Sequence, residues 1–197
     1  MALAVAPEAG VESDLAAALA RDVDGAFEPY VIAYRTCIVT FVARLLGDTA
    51  RAEDIAQEVF VRAYHALQAY PSERRAALHL RSWTYAIAHN LTRNAVRDAP
   101  PPADSLEYDD GDERAAATVD HAPGPELLAL RGETWHAVQA AVARLSPRLR
   151  PAYVMRYLED LSYDEIAHAL RQPVGTVKAS AHRAALAVRS YLEEANV

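Results

Sequence analysis

The chain has 197 residues, 20 lysines and arginines against 27 aspartates and glutamates, a net charge of -7, and 52% apolar residues with only 7 glycines. That is enough for one large or two small domains with adequate cores, and the low glycine content and scarcity of β-branched alternation favour helices. A single cysteine, Cys37, excludes an internal disulfide and any metal cluster built on thiolates; flanked by Thr36 and Ile38 on an apolar stretch, it reads as a small buried hydrophobe.

The first residues, MALAVAPEAGVESD, lack a basic n-region and meet Glu8, Glu12 and Asp14 before any sustained apolar run, so no signal peptide is expected. No later stretch reads as long enough to span a membrane, and the expected compartment is the cytoplasm. From Phe27 to Leu45 apolar residues recur at steps of three and four, through Tyr30, Tyr34, Ile38 and Phe41, and Gly47 with Asp48 ends that helix.

A second helix begins near Arg51. In RAEDIAQEVFVRAYHAL, Ile55, Val59, Phe60 and Ala63 form one side, and Glu53, Asp54, Gln57, Glu58 and Arg62 form a dense polar side. The connecting stretch AYPSERRAALH brings Pro71, Arg74 and Arg75. A third helix, LRSWTYAIAHNLTRNAVR, sets Trp83, Ile87, Leu91 and Val96 roughly on one face and His89, Asn90, Arg93 and Arg97 on another. Arg74 to Arg97 contains no acidic side chain.

Residues 98–126, DAPPPADSLEYDDGDERAAATVDHAPGPE, hold nine acidic residues and one basic one, and three consecutive prolines. Such a segment buries too little apolar surface to offset the entropy of ordering, so it reads as a flexible linker. Without it the chain has 18 acidic and 19 basic residues, so the negative excess belongs to the linker alone. The expected organisation is an N-terminal extension over 1–21, a helical domain over 22–97, the acidic linker over 98–125 and a second helical domain over 126–197.

The second domain ends in the most telling stretch, LSYDEIAHALRQPVGTVKASAHRAALAVR. Ser162 and Glu165 have the spacing of a capping box, Ile166, Ala167 and Leu170 follow at helical spacing, and Pro173 stops the helix. A second helix is predicted from about Val174 to Tyr191, its apolar Val177, Ala181, Leu186 and Val188 alternating with Lys178, His182, Arg183 and Arg189. This is the layout of a helix-turn-helix DNA reader. No acid lies between Arg171 and Arg189, and a one-signed stripe in an acidic protein calls for an anionic partner. Upstream, Pro151 delays the helix after Ser146-Pro147 until about Arg150.

Three of these segments, in order, resemble bacterial sigma factors of the extracytoplasmic-function (ECF) group. RAEDIAQEVFVRAYHAL is similar to their second conserved helix, LRSWTYAIAHNLTRN to the promoter-melting region, and AVARLSPRLRPAYVMRYLEDLSYDEIAHALRQPVGTVKASAHRAA to the C-terminal region with its Gly-Thr-Val-Lys signature. The resemblance implies an all-α protein of two small domains, neither an enzyme nor a cofactor binder. It implies that Asp54, Gln57, Glu58 and Arg62 dock on the clamp helices of core RNA polymerase, with the flap as a further contact. Arg74, Arg75, Arg81, Asn90, Arg93 and Arg97 would hold the opened minus-ten element, a task that needs backbone charge and pockets for unstacked bases. Thr176, Lys178, Ser180, His182 and Arg183 would meet the minus-thirty-five element in the major groove, Arg183 best suited to grip guanine or clamp a phosphate. An anti-sigma factor is a further implied partner. The chain departs from the family pattern at Ser180 and Ala185, where many relatives carry Arg, and at Arg171, which replaces the usual turn glycine.

Two other classes are weighed. A free-standing helix-turn-helix regulator calls for a self-complementary apolar helix for dimerisation, and none is evident. A metal enzyme using Glu53, Asp54, Glu58 and His65 fails on spacing, because that helix has no Glu-x-x-His pair and no second such helix exists.

Overall fold

The computed structural model describes residue 7, residues 9–98 and residues 133–195. All regular structure among them is helical: α1 (Ala9–Arg21), α2 (Val23–Leu46), α3 (Thr49–Ala69), α4 (Ser72–Ala76), α5 (Leu80–Arg97), α6 (Glu133–Arg144), α7 (Arg150–Tyr153), α8 (Tyr163–Leu170) and α9 (Val174–Glu194). Helices α1 to α5 form one bundle and α6 to α9 a second. Apart from Asp98, the acidic segment lies outside the described residues, as does its expected flexibility.

The first bundle is built around α2, which packs along α3, with α5 closing the other side. Its core is aromatic. Tyr30, Tyr34 and Phe41 are fully buried, Phe27 meets Tyr64 edge-on at 4.9 Å, and Phe41 meets Tyr85 at 4.9 Å. By length and composition α2 meets the requirement for a membrane span, with a mean hydropathy of 1.3 over its best window, contrary to the sequence expectation. Its apolar side chains Ile38, Phe41, Val42 and Leu45 are instead spent on the core of this bundle, which accounts for the hydropathy without a bilayer. Gly47, at φ 75, ends the helix in the left-handed conformation that a side chain would strain, and Asp48 then caps α3 by accepting from the Arg51 amide at 3.1 Å.

Residues 9–21, which the sequence leaves outside the folded domain, form α1 and pack on α4 and α2, with Ala16 and Leu19 buried. The buried face of α5 also differs from the predicted one. Leu80, Thr84, Ala88, Leu91 and Thr92 point inward, Trp83 and Ile87 are half-buried, and Val96 is exposed. Threonines can line this face because their hydroxyls are satisfied: Thr84 donates to the Leu80 carbonyl at 2.6 Å and lies 2.7 Å from the Tyr30 hydroxyl, and Thr92 donates to the Ala88 carbonyl.

In the second bundle α7 begins at Arg150 with Pro151 in its first turn, where a missing amide costs nothing, and widens into a π turn over Val154–Leu158. Glu159 closes that turn by donating its amide to the Val154 carbonyl, and Asp160 follows at φ 53. The capping box of α8 is complete: Glu165 donates its amide to the Ser162 hydroxyl at 3.2 Å and its carboxylate accepts from the Ser162 amide at 2.8 Å. Arg171 ends α8 at φ 55, a conformation more usual for glycine. After Pro173, α9 runs with Val177, Ala181, Ala184 and Val188 buried. Leu186, predicted among them, is 53% exposed, because nine residues at 100° each set it half a turn from Val177.

Candidate nucleic-acid interface

Three polar surfaces carry the residues singled out by the sequence. On α3, Asp54, Gln57, Glu58 and Arg62 are all exposed, with Glu58 and Arg62 paired at 2.7 Å one turn apart. Amid them Val61 is 51% exposed. The step of four residues from Gln57 to Val61 and His65 puts this side chain on the same face, a placement already legible in the sequence.

The second surface is α5 with the segment before it. Arg93 and Arg97 are exposed, Arg97 beside Asp98 at 3.0 Å, and Asn90 is half-buried. Arg74 is exposed, its guanidinium 3.7 Å from the centre of the Tyr70 ring, and that ring lies 6.3 Å from Trp83. Arg74 thus covers the Tyr70 ring, and Trp83 stands tilted at 59° to it. Arg75 is a correction. Its guanidinium donates to the carbonyls of Leu67 (3.2 Å), Tyr70 (2.8 Å) and Ala20 (2.9 Å), which makes it a staple within the bundle and removes it from the candidate DNA set. On this helix burial, with Arg93 adding to it, lowers the His89 pKa to about 4; its Nδ1 is buried with no bonding partner among the described residues.

The third surface is α9. Thr176, Lys178 and Arg183 are exposed and His182 is half-buried, and Lys178 leans toward the Tyr163 ring at 5.5 Å. Ser180 is buried at 8% exposure, so the side chain predicted to meet DNA faces the bundle. The exposed stripe runs through Thr176, Arg183, Leu186 and Arg189 without an acid, except that Arg189 pairs with Glu193 at 2.8 Å.

The two bundles are closed on one another, α8 lying along α5. The contact is polar at its centre. Glu159, buried, pairs with Arg44, accepts from the Tyr85 hydroxyl at 2.6 Å, and offers its carbonyl to Arg81. Burial raises the Glu159 pKa above the ordinary carboxylate value, against the pull of Tyr85, Arg44 and Arg81. Arg81, expected on the DNA, is thus turned toward the second bundle in this closed form. Arg150 reaches across to the Leu45 carbonyl at 2.7 Å, and Ser82 lies 3.4 Å from His168. Cys37, beneath this seam, is buried and its thiol is pushed up to about 11, mainly by desolvation, so it stays protonated.

The fold and these faces define a two-domain, helix-turn-helix DNA-reading protein. Residues 30–100 match the family model for sigma-70 region 2, and residues 135–188 the model for sigma-70 region 4. The ECF RNA polymerase sigma factor SigW of Bacillus subtilis is 32% identical over 172 residues, covering 86% of this chain and 90% of that one. Two solved structures share the fold: CnrH in complex with the cytosolic domain of CnrY (TM-score 0.66, 20% identity, 93% of this chain and 98% of that one), and the sigma factor RpoE in complex with the anti-sigma factor NepR from Bartonella quintana (TM-score 0.60, 18% identity, 85% and 96%). The chain belongs to the sigma-70 family, in its ECF group.

Proposed function

We propose that this protein docks on the clamp helices of core RNA polymerase through α3, with the flap as a second contact, and gives the enzyme its promoter specificity while doing no catalysis of its own. Val61 is the apolar centre of the docking face and Asp54, Gln57, Glu58 and Arg62 its charged ring. The minus-ten element is opened against Arg74, Tyr70, Trp83, Asn90, Arg93 and Arg97, and the minus-thirty-five element is read by Thr176, Lys178, His182 and Arg183. The work is cytoplasmic. The observation that carries this reading is the exposed stretch of α9 from Thr176 to Arg189, which contains no acid, in a chain whose two halves match regions 2 and 4 in order.

Reading both elements requires the bundles to part. Centres 25 base pairs apart lie about 85 Å apart along B-form DNA, whereas α8 touches α5 in the closed form. Control by an anti-sigma factor is supported by the likeness to a sigma factor described in complex with one. The test is run-off transcription over a promoter library with core polymerase. Core-dependent, promoter-selective transcripts are expected; tight, sequence-specific DNA binding by the free protein at physiological salt, with no transcripts from the reconstituted enzyme, would restore the free-standing regulator.

A further inference from the structure

Helix α1 lies before the residues matched to region 2, yet it is bonded to Arg75 of α4 and to the first turn of α5. At the start of α5, His79 occupies the N-cap position and makes no side-chain cap bond. The capping acceptor comes from 69 residues upstream: the Glu12 carboxylate accepts from the Arg81 amide at 2.8 Å. A carboxylate there satisfies an amide the helix leaves open and meets the positive end of its dipole. Burial raises the pKa of the Tyr34 hydroxyl, with the Glu12 carboxylate adding to the rise, and that hydroxyl has no bonding partner among the described residues.

On α4, Arg75 gathers the Leu67 and Tyr70 carbonyls at the end of α3 and the Ala20 carbonyl at the end of α1. Helix α1 therefore holds this segment from within, through Arg75 on α4, and just past its end, through the Arg81 amide of α5; residues 70–79 carry Arg74 over Tyr70, beside Trp83. The buried Ala16 and Leu19 seat α1 firmly enough to act as a strut.

We infer that Glu12 and Arg75 are positioning residues of α1's making: they hold residues 70–79 and the first turn of α5 in the arrangement that receives the unpaired bases of the minus-ten element, so α1 is a working part of promoter opening. This rests on the promoter-reading function proposed above. Neither residue touches DNA. Their effect is on the placement of Tyr70, Arg74 and Trp83.

The test uses the full chain assembled with core polymerase. Glu12→Ala should lower permanganate reactivity of minus-ten thymines on a duplex promoter severalfold. It should also flatten the response to single-base changes at minus ten, while core binding and the response to changes at minus thirty-five stay as in the parent. Glu12→Gln, which keeps an acceptor oxygen, should recover most of the loss, and a template already unpaired at minus ten should rescue Glu12→Ala. Arg75→Gln should reproduce the minus-ten defect. An unchanged minus-ten profile for Glu12→Ala overturns the inference, as does an equal loss at both elements that tracks a fall in thermal stability. Failure of the parent protein to support core-dependent transcription sinks the functional reading itself, and is seen before any variant is compared.

Discussion

Arg44 and Glu159, 115 residues apart in the chain, form an ion pair across the two bundles with side chains only 7% and 0% exposed. Arg44 also lies 5.4 Å from the centre of the Trp135 ring, so both members are enclosed. Removing one partner of such a pair leaves a buried charge alone and costs about 3–5 kcal/mol, whereas replacing both by apolar residues is often close to neutral. Glu159→Ala is therefore expected to shift the free protein toward open forms, seen as a larger radius of gyration in small-angle scattering. The double variant Arg44→Met, Glu159→Leu should return most of the compaction. Equal dimensions for parent and Glu159→Ala would show that the pair does not hold the bundles together.

Glu58→Arg should cut binding to core polymerase at least tenfold while shifting the folding free energy by no more than about 0.5 kcal/mol, because an exposed pair one turn apart contributes only that much. Val61→Asp should do the same to binding. Co-purification with core at the parent level for both variants would reduce this face of α3 to solvated surface.

Arg183→Ala should weaken use of the minus-thirty-five element by about 1–3 kcal/mol, the range of a paired guanidinium–base contact. Its exposure on α9 makes a folding explanation unnecessary. The check is promoter binding by the assembled polymerase over single-base variants of that element; an unchanged preference would exclude Arg183 from readout.

His89 sets an acid limit on the first bundle. Its folded pKa of about 4 lies below the ordinary 6.5, so the fold favours the neutral ring. The stability this contributes is fully present above pH 6.5 and is lost as the pH falls toward 4. At pH 5 the penalty is about 2 kcal/mol relative to pH 7. Urea unfolding at the two pH values should show that loss in the parent and not in His89→Leu; parallel losses in both would assign the acid sensitivity to other groups.

Much of the fold was legible because its signals are local. Ser162 and Glu165 announce the start of α8 from three residues apart, and Pro151 delays α7 within one turn. The helical face of α9 was read with Val177, Ala181 and Val188 correctly inward, but it took Leu186 for a member in place of Ala184 and set Ser180 outward, although helical spacing from Val177 places both the other way. Glu159 was not legible. Between Leu158 and Leu161 it reads as a loop carboxylate, and its role arises only from Arg44, Tyr85 and Arg81, 115, 74 and 78 residues away. Arg75 misled for a related reason: an arginine in an acid-free stretch looks like a phosphate contact until three backbone carbonyls converge on it. Helix α1 was passed over because an alanine-rich stretch among acids gives little hint that Leu19 has a core to enter.

The contact of α8 with α5 makes any DNA affinity measured on the free chain a product of two equilibria. Only the separated population can span both promoter elements, and the observed dissociation constant is the intrinsic one divided by that fraction. A chain closed about 99% of the time would bind promoters about a hundredfold more weakly than its own DNA-reading helices allow. A polymerase that held the bundles apart would restore that factor without touching a base, and idle copies of such a chain would leave promoters largely unoccupied.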